Sequence, residues 1–91
     1  METITHPTLV QLVAAGAVRV VVAVGQPGGW TLLVRYGLAE RALAAQRSKQ
    51  LRVFRKLDTL VLYLQQIGVS RFEVDAAGFM VASRHACFDN R

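Results

Sequence analysis

Apolar and polar positions follow more than one rhythm along this chain, and each rhythm predicts an element. Near the N-terminus, "HPTLVQLVAAG" places Leu9, Leu12 and Val13 on one side of a helix. Pro7 suits a first turn, where its missing N–H is no loss, and Gly16 suits a stop, so a short helix is predicted over 7–15. "AVRVVVAV" follows, rich in valine, whose branched Cβ fits a pleated surface. "WTLLVRYG" repeats that character after the loop residues "GQPGG". The two runs are predicted to pair as a hairpin, 18–24 with 30–36.

The helical period returns in "LDTLVLYLQQIG". Leu57, Leu60, Val61, Leu64 and Ile67 form one stripe, and Leu62 and Tyr63 widen it. Asp58 is placed at the N-cap and Gly68 at the stop. So wide an apolar surface predicts cover from two sides. A sheet is one cover; a second subunit, contacting Leu60, Leu62, Tyr63, Leu64 and Ile67, is the expected other. In "SRFEVD" Phe72 and Val74 alternate with Arg71, Glu73 and Asp75, which predicts a half-buried strand over 70–75. "LAERALAAQRSKQ" is ambiguous: its composition favours a helix, while its context allows a third strand over 39–46. In the latter case "RSKQ" turns the chain into a fourth strand at 51–54. Patterning weakens after Ala76, so a single domain over 1–82 and a loose tail over 83–91 are expected.

A chain of 91 residues holds one domain, and one of this size buries only about 60–65% of its unfolded surface. Yet 53% of the residues are hydrophobic, more than a small monomer hides easily, which again points to a homodimer. The single cysteine, Cys87, permits no intrachain disulfide and fits a cytoplasmic location. The apolar run from Leu12 to Gly25 is interrupted by Arg19, follows Glu2, and has no cation before it. That layout suits neither a signal peptide nor a membrane span, so no membrane association is expected.

Charge changes the picture most. The net charge is +5, but Arg41, Arg47, Lys49, Arg52, Arg55 and Lys56 lie within sixteen positions that contain no acid. The remainder of the chain is nearly neutral. A strand at 51–54 would turn Leu51 and Val53 inward and Arg52 outward, with Arg47 and Lys49 at a protruding tip. Such a ribbon could track the phosphates of double-stranded DNA, releasing counterions at each contact. The blander alternatives are charges that merely keep an apolar protein in solution, or an acidic protein partner.

Other candidate chemistry is thin. His85, Cys87 and Asp89 offer two or three ligand atoms, and His6, the only other histidine, is remote in sequence; no metal site is expected. Cys87 with His85 lacks an orienting third group. Glu73 and Asp75 read as the polar face of an edge strand. "GQPGG" lacks the Lys-Ser/Thr of a phosphate loop and leads into a strand. Trp30 and Tyr36 are expected in the core in preference to an exposed stacking platform. A non-enzymatic protein without cofactor or small-molecule substrate is expected.

From Trp30 to Asp75 the chain reads "WTLLVRYG…LRVFRKLDTLVLYLQQIGVSRFEVD". The "L-R-x-F-x-x-L-D" step, the helix ending in "I-G-V" and the "RFEVD" strand resemble the small ParC-like, partition-associated accessory proteins of bacterial plasmids and integrative elements. The resemblance implies a non-enzymatic protein of mobile DNA, a dimer that binds DNA or assists plasmid maintenance, transfer or gene control, with a partition or transfer protein as a further partner. It also implies a short hairpin before "F-x-x-L-D", which favours strands over 39–54. Where that pattern often has a serine before "LD", this chain has Lys56, one more cation. The fold expected is therefore α+β. It has a short N-terminal helix, an antiparallel meander of about four strands, one amphipathic helix packed on it, and a final strand. An intertwined or strand-exchanged homodimer is expected. The function expected is DNA binding, with a module that docks a partition ATPase or an antitoxin-like protein as the alternative.

Overall fold

The valine-rich run and the run led by Trp30 pair as predicted, and over a greater length. In a computed structural model, which describes residues 2–80, the chain forms β1 (Thr3–Ile4), α1 (His6–Ala14), β2 (Val18–Gln26), β3 (Gly29–Tyr36), β4 (Ala39–Leu43), α2 (Leu57–Ile67) and β5 (Glu73–Asp75). β2 and β3 pair antiparallel from Val18↔Tyr36 to Gln26↔Gly29, leaving Pro27 and Gly28 to turn. Pro27 suits the first turn position, and Gly28 supplies the positive φ (83°) needed at the second.

The ambiguous segment is a strand. β4 runs antiparallel to β3, from Leu33↔Ala42 to Tyr36↔Ala39. Its local composition favours a helix, but the free edge of β3 satisfies its backbone and Leu43 enters the core. The predicted fourth strand over 51–54 does not form. Only two isolated bridges, Ala44↔Leu51 and Trp30↔Phe54, hold that segment. The sheet is mixed and five-stranded, ordered β1-β4-β3-β2-β5, and so departs from a purely antiparallel meander. Its two outer pairings, β1 with β4 and β2 with β5, are parallel. β1, two residues long, gives no periodic signal in the sequence. β5 is shorter than the 70–75 expected, and as an edge strand it leaves Val74 47% exposed, contrary to its alternation with Phe72.

α1 and α2 fall within a residue of their predicted spans. Asp58 is not the N-cap; Lys56 holds that place without a side-chain cap bond, and Asp58 sits in the first turn, where its charge still suits the helix dipole. Gly68, in the left-handed conformation, closes α2 as expected.

Directly paired residues share a face of the sheet, and successive residues alternate. One face carries Ile4, Val21, Ala23, Trp30, Leu32, Val34 and Leu43, which cluster with Leu9 of α1 and with Leu60, Tyr63 and Leu64 of α2. Both helices therefore cover one face, giving two layers. Trp30, 6% exposed, is a core residue as expected. Tyr36 packs against the same core.

This arrangement corrects the expected subunit contact. Leu60, Tyr63 and Leu64 are buried within one chain and Ile67 packs against that core; of the five residues named, Leu62 alone points away, 58% exposed. The second cover that the wide apolar stripe demanded is α1. The rings of His6 and Tyr63 lie 5.5 Å apart near one end of α1, and Val13 approaches Gly68 near the other. No described helix is long and apolar enough to cross a membrane.

Candidate nucleic-acid interface

The cationic segment is built onto the sheet by its backbone. Beyond Leu33↔Ala42, β3 and β4 separate, and residues 51–54 wedge between them. On the β4 side, the Arg52 N–H donates to the Leu43 carbonyl at 3.0 Å. On the β3 side, Trp30 and Phe54 exchange both backbone hydrogen bonds at 2.8 Å. Before the wedge the chain makes a tight turn. The Ala45 N–H donates to the Gln50 carbonyl at 2.8 Å and the Lys49 N–H to the Ala45 carbonyl at 2.9 Å. The Gln50 N–H donates to Ser48 Oγ at 3.2 Å, and Lys49 takes a φ of 62°, uncommon outside glycine. Arg47 and Lys49 thus occupy a protruding turn, as the sequence predicts.

The alternation within the wedge is the reverse of the expectation. Phe54, bridged to Trp30, points into the core and is 3% exposed, and Arg52 shares its side. Leu51 and Val53, expected inside, are 45% and 46% exposed. The physical reason is the register with β3. Trp30 faces the helices, so its bridge partner Phe54 must too, and Arg52 follows two residues away.

Arg52 is consequently the best-placed cation of the set. Its guanidinium carbon lies 4.7 Å from the centre of the Phe54 ring and 5.0 Å from that of Tyr63. The ring faces attract the cation and restrict its rotamers while its residue stays exposed. Tyr63 in turn shares a 2.8 Å hydrogen bond with His6 Nδ1. Burial pushes the Tyr63 hydroxyl above its usual pKa, and the neighbouring Arg52 charge pulls the other way.

Of the six predicted cations, Arg41 is set apart. Its guanidinium pairs with the Glu2 carboxylate at 2.5 Å, which neutralises it. Arg47, Lys49, Arg52, Arg55 and Lys56 are all exposed, and none has a carboxylate partner among the described residues. They remain one contiguous strip over 47–56. His85, Cys87 and Asp89 lie outside the described residues, as does the tail over 83–91. Among the described residues, no group of three or more His, Cys, Asp or Glu side chains could hold a metal ion.

Sequence inspection missed two supporting features. The His6–Tyr63–Arg52 chain spans three elements, and no local pattern joins them. In the sequence, Gly29 reads only as part of the loop "GQPGG". In the structure the cationic segment packs closely over it. A Cβ there would lie 2.8 Å from the Phe54 carbonyl oxygen and 2.6 Å from Val53 Cγ1. Gly29→Ala is expected to push the segment off β3 and destabilise the fold by about 1–3 kcal/mol, as overpacking does. Urea denaturation measures the loss, and faster amide exchange at Phe54 localises it.

Fold and strip together define a small two-layer α+β protein with one docked, uncompensated cationic segment. A family model described as ParC-like matches residues 4–83, and the chain belongs to the ParC-like family. That match extends well beyond residues 30–75, where the sequence motifs lie. No curated protein and no solved structure matches the chain.

Proposed function

We propose that this ParC-like protein is a dimeric DNA-binding accessory protein of a mobile element, serving its maintenance, transfer or gene control. Arg47, Lys49, Arg52, Arg55 and Lys56 grip the phosphate backbone. The observation that carries this proposal is the strip itself: five cations in ten residues, free of carboxylates among the described residues, on a backbone pinned to the sheet. Charges of one sign on a fixed framework gain more from a polyanion than from solvent, because each phosphate contact releases a condensed counterion. The arginines add paired N–H donors that fit phosphate oxygens.

Two copies would offer about ten phosphate contacts, and binding should then weaken about 10³-fold or more between roughly 50 and 200 mM salt. Fluorescence anisotropy with a labelled duplex across that range tests this. A flat salt response, or no binding at the low end, overturns it. It would redirect attention to an acidic protein partner on the same face, such as a partition ATPase or an antitoxin-like protein.

A further inference from the structure

The two strands beside β2 do not accompany it equally. β3 pairs with it from Val18 to Gln26, but β5 pairs only with Val22 to Val24. Before Val22 the outer edge of β2 has no described strand beside it. The chain leading into β5, residues 68–72, stands off and helps to enclose a hollow of about 480 Å³. Val13, Val18, Val69 and Phe72 give it apolar walls. Backbone alternation fixes what β2 aims into it. Trp30 exchanges both of its backbone hydrogen bonds with Phe54, on the side of β3 away from β2. Val34, further along β3 in the same phase, also points away from β2, so its partner Val21 turns its own N–H and C=O to the β5 side. β5 begins only at Glu73, opposite Val22, and no backbone oxygen among the described residues accepts from the Val21 N–H. Val21 is 5% exposed, so this donor faces the hollow and little bulk water. A buried donor without an acceptor is costly, which favours a ligand that brings one.

A bulge adds charge at the rim. The register of β2 against β3 shifts between Val18 and Val20. Val18 and Val21 therefore both pack towards the helices, and Arg19, between them, is exposed at one side of the hollow. Phe72 packs against the core, which turns its neighbour Arg71 outward on the other side. Neither arginine has a carboxylate partner among the described residues. Glu73 is the single acid that lines the hollow, so its charge is net positive.

We propose that this hollow binds the C-terminal end of an extended peptide from a partner protein, with an apolar last residue. Three features select that occupant. First, a bare strand edge offers its hydrogen bonds to another extended backbone. Second, the hollow is closed where β5 joins β2 at Val22↔Glu73, so a chain can end there but cannot run through. Third, a terminal carboxylate is at once an acceptor for the Val21 N–H and an anion for Arg19 and Arg71, and charge-assisted bonds of this kind are the strong ones. The valine walls take the last side chain. The hollow is separate from the cationic strip over 47–56, so the inference stands independently of DNA binding.

Calorimetric titration of the full chain with an acetylated hexapeptide, Gly-Ser-Ser-Val-Ser-Val, ending in a free carboxylate, tests the proposal. The same peptide ending in an amide keeps every side chain and loses the charge; it should bind at least about tenfold more weakly. Arg19→Ala combined with Arg71→Ala should weaken the free-carboxylate peptide about fivefold, while Arg55→Ala, in the cationic strip, should leave it unchanged. In NMR spectra the peptide should shift the amides of Val18 to Val21 and of Val69 to Phe72, and slow hydrogen exchange at Val21. Isovalerate alone has no backbone to lie along β2 and should bind at least about tenfold more weakly than the peptide. No binding at about 1 mM peptide, which corresponds to only about 4 kcal/mol, would overturn the proposal. So would equal binding of the acid and the amide, shifts confined to 47–56, or an unchanged affinity in the folded double variant. Isovalerate binding as tightly as the peptide would mean a site for small carboxylates, and would overturn it too.

Discussion

Changing both Arg52 and Arg55 to alanine should weaken binding to every duplex alike, at least tenfold, and flatten its salt dependence. Both residues are exposed. In a two-copy complex the double change removes about four phosphate contacts, so the slope of log affinity against log salt should shrink by about 3 to 4. A uniform loss across sequences is the mark of backbone contact; a loss confined to one sequence would mark base contact. The two arginines should differ when changed singly to lysine. Arg55→Lys keeps its charge and should bind nearly as well as the parent. Arg52→Lys keeps the charge but loses the planar stack on Phe54 and Tyr63, and should bind more weakly. Anisotropy titrations at several salt concentrations decide both. Equal behaviour of the two lysine variants would mean that the aromatic stack does not orient Arg52 for binding.

Leu64→Ala should be the most damaging single truncation in α2, costing about 2–5 kcal/mol. A small domain has only about 5–10 kcal/mol to lose. Leu64 is fully buried against the sheet, so the change leaves a cavity with few ways to collapse. Leu62→Ala, one half-turn away on the exposed side, should change stability by less than about 0.5 kcal/mol. Urea unfolding of both variants measures the contrast. A loss at Leu62 matching that at Leu64 would restore α2 as a subunit contact.

Much of this architecture was legible in local sequence. The β2–β3 hairpin announces itself through β-branched runs around Pro27-Gly28, because turn chemistry and strand propensity act within a few residues. The span of α2 follows from its apolar period and from Gly68. The cationic strip is visible as composition alone. Less legible was everything set by a neighbour distant in the chain. β4 carries a helical composition and is a strand because β3 offers an edge. β1 is too short to show a period, and β5 is fixed only by the parallel register of β2.

The same division runs through the candidate site. The amino-acid sequence by itself determined that the cations cluster, that few acids sit near them, and that α2 needs cover on two sides. Tertiary structure decided the rest. It neutralised Arg41 with Glu2, turned Arg52 onto two aromatic rings, and supplied the second cover from α1. It also exposed Leu51 and Val53, which the local alternation had turned inward. The physical reason is that charge and periodicity are properties of adjacent residues, whereas pairing register is not. A shift of one residue in the bridge between Trp30 and Phe54 would exchange the inward and outward sides of the whole segment.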